Sequence, residues 1–166
     1  MIRITNTPWR VMVQHAEQSY PNECCGVMLG RGVEAENPDL QLRGAANKEI
    51  LRAVPLENVY EGGQADRYEI RPMDLLRVER EARAEGLALL GIYHSHPDCE
   101  AYFSQTDLEN SCPWYSFLVI SIQQGRFQDA NCFQPNADCT AAPSVALELP
   151  PLAAEKISLA EDNHES

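Results

Sequence analysis

Three short apolar runs, ECCGVMLGRG (Glu23–Gly32), LALLGIYHS (Leu87–Ser95) and YSFLVISIQ (Tyr115–Gln123), constrain the fold more than any other feature of this chain. Short apolar runs closed by glycines or turns read as buried strands. Segments of helical period separate them. TPWRVMVQHAEQSYP predicts a first helix, with Thr7 as cap, Pro8 in the first turn and Pro21 as the stop; Trp9, Met12, Val13, Ala16 and Tyr20 recur along one side. PMDLLRVEREARAEG predicts a second, opened by Pro72 and closed by Gly86, with Leu75, Leu76 and Ala82 on one side. SQTDLENSC opens a third. LQLRGAANKE reads as a strand and turn, LENVYEGGQAD as a loop and RYEIR as a short strand. GRFQDANCFQ pairs with YSFLVISIQ as a hairpin through Gln124–Gly125. The resulting order points to an α/β or α+β fold with a mixed sheet. Its expected domain spans residues 1–137, and 138–166 form an Ala/Pro-rich and then acidic tail.

Charge narrows the function. A net charge of −12 argues against nucleic acid and against anionic membranes, because both need clustered Lys and Arg. No apolar run approaches the roughly 20 residues that span a bilayer. The start, MIRITNTPWRV, lacks the apolar stretch of a signal peptide, so a cytosolic protein is expected. The six cysteines form no C-x-x-C and read as reduced thiols.

The chemistry concentrates in GIYHSHPDCEAYFSQTDL, Gly91–Leu108. Side chains at i and i+2 of a strand share a face, so His94 and His96 can reach one ion. Pro97 ends the strand. Alone, H-x-H is equally a pair of hydrogen-bonded histidines at a strand terminus. Asp98, Cys99, Glu100 and Asp107 are candidates for a third ligand. Asp107 lies three positions past Ser104, in the first turn of the third helix, from where it faces back across the loop. S-x-x-D is also an ordinary capping arrangement, and the two readings are compatible. A hydrolytic ion needs a base for its water, and the conspicuous acid is Glu23, heading an apolar strand.

Glu23, then HSHP, six residues, and SQTD resemble the JAMM (MPN+) zinc metalloproteases, in their short prokaryotic form; the likeness covers roughly residues 1–135. The resemblance implies a mixed sheet flanked by helices, similar to the cytidine deaminase fold. It implies one zinc ion per chain, bound by His94, His96 and Asp107, with water in the fourth position. Glu23 would take the water's proton and deliver it to the leaving amine, and Ser104 would stabilise the oxyanion. The Ser104 hydroxyl thus has two candidate tasks, capping and catalysis. The implied substrate is an amide or isopeptide bond after the Gly-Gly tail of a ubiquitin-like or sulfur-carrier β-grasp protein. Tyr102 and Phe103 stand where many relatives carry a proline, and are candidates to line the groove. Cys99 is either an exposed loop thiol or an occupant of the open zinc position in a resting state. The competing class is a catalytically silent scaffold of the same fold. A metallohydrolase on an eight-stranded α/β barrel needs about 200 residues or more.

Overall fold

The computed structural model describes residues 1–32 and 47–152. Its elements are β1 (Ile2–Ile4), α1 (Asn6–Ser19), β2 (Cys25–Gly32), β3 (Lys48–Leu56), α2 (Pro72–Ala84), β4 (Ala88–Pro97), α3 (Gln105–Glu109), β5 (Ser116–Gln123), β6 (Arg126–Phe133), β7 (Ser144–Val145) and β8 (Leu147–Glu148). All eight strands belong to one sheet, ordered β7-β6-β5-β4-β2-β3-β1-β8. β4 is central, antiparallel to β2 and parallel to β5, so the sheet is mixed as expected. β7 and β8 are separated only by Ala146, yet they pair with opposite edges of the sheet, β6 and β1. The stretch 144–148 therefore bridges the two edges and curls the sheet nearly shut. Bridging pairs part of each edge, Cys132 and Phe133 of β6 and Ile2 and Arg3 of β1, and so shortens the backbone left open there.

Each face of the sheet has its own cover. Trp9, Met12, Val13 and Ala16 of α1 pack on Met28, Tyr93, Leu118, Ile120 and Ile122. Val78 and Ala82 of α2 pack on Val27 and Leu29 of β2. The two-residue period of β4 puts Tyr93 and Ser95 toward α1 and Ile92, His94 and His96 on the other face. Gly26 lies opposite Tyr93 in the ladder. A Cβ at Gly26 would stand 2.4 Å from the Tyr93 ring, so glycine is what lets this tyrosine lie flat on β2.

Several elements differ from the sequence expectation, for identifiable reasons. α1 starts at Asn6 after an extended Thr5, so Thr5 and not Thr7 is the N-cap residue, and its hydroxyl donates to Ile50 O instead of to the helix. Pro8 sits in the first turn as expected. β1 is too short to carry a period. β3 runs through Pro55. Of β3, β1 covers only Lys48–Ile50, so Pro55 lies where β3 has a single neighbour and a missing N–H is tolerated. Of LQLRGAANKE, residues 40–46 lie outside the described residues, and Lys48 and Glu49 open β3. RYEIR is irregular. The Asn58 side chain takes the backbone there, donating to Arg67 O and accepting from Glu69 N, which competes with a ladder. Leu76 is largely exposed, unlike Leu75. The hairpin forms as expected, with positive φ at both Gln124 and Gly125, the backbone of a tight two-residue turn. Of the expected tail, residues 144–148 are the strands that bridge the sheet, and the acidic stretch 153–166 lies outside the described residues.

Candidate metal centre

The end of β4 carries His94 and His96, rigid because β2 and β5 pair on either side. Glu23 precedes β2, whose Cys25 pairs with His94. Its backbone is tied by Glu23 N donating to Gln64 O at 2.7 Å and by Asn58 Nδ2 donating to Glu23 O at 3.1 Å. On the far side of β4, Ser95 Oγ accepts from Cys24 N at 2.8 Å and locks this register. Asp107 comes from α3. There Ser104 Oγ accepts from Asp107 N and Asp107 Oδ2 accepts from Ser104 N, a complete capping box. The cap thus aims the same carboxylate oxygen that meets the histidines.

His94 Nε2 and His96 Nε2 lie 3.1 Å apart, and each is 3.2 Å from Asp107 Oδ2. Glu23 Oε1 stands 3.9 Å from His96 Nε2. Exposures are 5% for Glu23, 0% for His94, 5% for His96 and 8% for Asp107. Glu23, His94 and His96 form a group of metal-capable ligand atoms by themselves, and Asp107 Oδ2 joins both histidines.

This arrangement fits a zinc ion on three observations. Four-coordinate zinc at 2.0–2.1 Å from each ligand spaces its ligand atoms about 3.3 Å apart. The Nε2, Nε2 and Oδ2 triangle has edges close to that value. Next, Glu100 O lies 3.0 Å from His96 Nδ1; a carbonyl only accepts, so Nδ1 carries the proton and a neutral ring keeps its Nε2 lone pair for a metal. Last, Glu23 Oε2 is buried without a hydrogen-bond partner among the described residues, an expensive condition for a polar atom without a task.

The electrostatics match. Burial, then the charges of Asp107 and Asp66, push Glu23 up to about 9. Burial would raise Asp107 too, but in the metal-free site the contacts of the His94 and His96 rings, with the Ser104 N–H, outweigh it and hold the carboxyl far below its usual range. Burial lowers His94, against the pull of Asp107, which favours the neutral ligating form.

The structure thus brings together all four residues singled out around the ion, with Ser104 directly behind Asp107. Asp98 is turned away: it accepts from Tyr20 Oη at 2.6 Å and from Gln124 N at 2.8 Å. Cys99 is exposed, and no cysteine belongs to the metal-capable group. Tyr102 packs edge-on against His96 and is half exposed, whereas Phe103 stacks on Phe133 and against Phe117. Tyr68, which periodicity did not single out, stacks on His94. Its contact crosses the fold and leaves no local signal.

The family model of prokaryotic homologs of the JAB domain matches residues 7–133. The chain belongs to that family, and the JAMM/MPN resemblance seen in the sequence holds. A probable TtuB-protein conjugate cleaving protease of Thermus thermophilus is 37% identical over 67 residues, 40% of this chain and 45% of that protein. A desampylase of Pyrococcus furiosus is 30% identical over 106 residues, 64% of each chain. The chain thus spans between about half and just under two thirds of the length of these relatives. A Desulfitobacterium hafniense protein solved in solution superposes with a TM-score of 0.72 at 25% identity, covering 93% of this chain and 97% of that one. One from Salinibacter ruber superposes at 0.64 with 24% identity, covering 92% and 94%, a likeness of fold. Among the described residues no helix is long and apolar enough to cross a membrane.

Proposed function

We propose that the protein is a zinc metallopeptidase that hydrolyses the amide or isopeptide bond following the C-terminal tail of a ubiquitin-like or sulfur-carrier protein. One observation carries the reading: a buried carboxylate, Glu23, held beside a closed triangle of two imidazole nitrogens and one carboxylate oxygen. His94, His96 and Asp107 would hold the ion, one per chain. Zinc held there would supply Lewis acidity, polarising a carbonyl and bringing the pKa of water near 7. Glu23 accepts the proton of the attacking water and hands it to the leaving amine. Beside a cation held there, the Glu23 carboxyl would lose its proton more readily than in the metal-free site, as a group that both takes and returns a proton requires.

Ser104 is suited to two tasks at once. A hydroxyl has two lone pairs and one proton. Asp107 N–H occupies a lone pair, and the proton donates to nothing among the described residues, so it is available to the oxyanion. The substrate class rests on the relatives, one named for cleaving TtuB conjugates and one a desampylase. A Gly-Gly tail suits a site walled by Tyr68 and Tyr102, because it brings no side chains past those rings. The test is a set of single variants. Glu23→Gln keeps zinc and loses cleavage of a ubiquitin-like conjugate; His94→Ala and Asp107→Ala lose both. Full cleavage by Glu23→Gln overturns the mechanism. A wild-type protein without stoichiometric zinc returns the reading to a silent scaffold.

A further inference from the structure

A metal-bound histidine is ordinarily oriented by a hydrogen bond at its other ring nitrogen. His96 has one, from Nδ1 to Glu100 O. His94 has none among the described residues: its Nδ1 is buried and without a partner there. Yet the His94 ring must hold its plane within about 10–20° for its nitrogen to serve an ion. Something else restrains it. The Tyr68 ring lies on its face, with centroids 4.6 Å apart and planes at 27°. The other neighbour in ring contact, His96, is tilted by 58° and offers no parallel face.

Tyr68 sits in an irregular stretch that is nonetheless tightly built. Asn58 is its hub. Asn58 Nδ2 donates to Glu23 O and to Arg67 O, and Asn58 Oδ1 accepts from Tyr60 N and Glu69 N. Gln64 Nε2 donates to Asn58 O and Tyr60 O, and Val59 N donates to Glu69 O. Both chain neighbours of Tyr68 are therefore fastened to one side chain, which also fastens Glu23. The Tyr68 hydroxyl makes no hydrogen bond among the described residues, so the ring face is the part engaged.

We propose that Tyr68 is a positioning residue of the metal centre, holding the His94 ring in its ligating orientation by face-to-face stacking in place of the missing hydrogen bond. Asn58 sets both Tyr68 and the Glu23 backbone, so the 57–69 segment aligns a ligand and the base together. The inference rests on the zinc reading above, and its test separates the two. Zinc affinity of the purified protein is measured by competition with a chromophoric chelator. Tyr68→Ala weakens it 10–100-fold, the size typical of lost outer partners of a ligand, and Tyr68→Phe leaves it unchanged. In the metal-free protein the His94 ring protons carry a ring-current shift that Tyr68→Ala removes and Tyr68→Phe keeps. Tyr68→Leu, with apolar bulk but no aromatic face, replaces the alanine variant if that one does not fold, with the same expectation. Wild-type affinity in Tyr68→Ala or Tyr68→Leu overturns the role of Tyr68 alone. Equal weakening in Tyr68→Phe assigns the effect to the hydroxyl and refutes stacking. Absence of zinc uptake by the wild type overturns the functional reading itself.

Discussion

Glu23 is built for chemistry at the expense of stability, and Glu23→Gln exposes the trade. In the metal-free protein its carboxyl is buried, with Oε2 unpartnered, and is pushed up to about 9 from an ordinary 4.5. Between those values the folded protein holds a proton that the unfolded chain has released. Stability from this group is therefore complete at low pH and is lost as pH rises from about 4.5 to about 9. The loss is about 1.4 kcal/mol per pH unit, or roughly 3 kcal/mol by pH 7. Gln removes the charge but leaves its own amide short of partners, an offset of about 1 kcal/mol. The variant should be more stable than wild type by about 2 kcal/mol at pH 7, a rise in Tm of about 4–8 °C for a chain of this size. The advantage should vanish near pH 5 and grow toward pH 8.5. Calorimetric melts in EDTA at those three pH values measure it, and added zinc should shrink the gap by giving the carboxylate a cation. A difference that is the same at pH 5 and pH 8.5, or a variant less stable at pH 7, would show that the carboxylate is not desolvated as described.

Ser104 can be dissected because its two tasks respond differently to two replacements. Ser104→Ala should lose about 1 kcal/mol of stability with the cap, Ser104→Gly only a few tenths; both should lose about 10²–10³ in kcat, and a rate loss that tracks stability would refute the oxyanion role. Gly26→Ala drives a Cβ into the buried Tyr93 ring, whose hydroxyl lies 2.8 Å from His15 Nδ1, and should cost about 1–3 kcal/mol in a urea melt; a neutral result would show that the ring slides freely. EDTA should lower the Tm of wild type and leave that of His94→Ala unmoved, since only the former has a bound ion to lose. Asp107→Asn should retain α3 by circular dichroism, because the amide oxygen still accepts from Ser104 N, and yet fail to bind zinc.

The buried strands, the hairpin turn and the second helix were legible because each leaves a local signature: apolar runs, Gln124–Gly125, and Pro72 with Gly86. β1 and β3 were not. β1 is three residues long, and Pro55 disguises β3. Pro55 is tolerated only because β1 leaves that stretch of β3 uncovered, a fact of pairing and not of local preference. RYEIR carries strand propensity but loses its backbone groups to Asn58, an interaction eleven residues long at its reach.

For the site, strand alternation and helix capping are short-range geometry and put His94, His96, Ser104 and Asp107 among the candidates, while the resemblance to the JAMM/MPN family is what selects Asp107 as third ligand and gives Glu23 and Ser104 their roles. Whether Glu23 meets the histidines, some seventy residues away, depended on β2 pairing antiparallel with β4 in the register that sets Cys25 against His94. Tertiary structure alone turned Asp98 toward Tyr20, left Cys99 in solvent and laid Tyr68 on His94. Sequence specifies which chemistry a chain can carry through its local patterns. The environment that makes a carboxyl hold its proton to about 9 is assembled only when distant segments exclude water together.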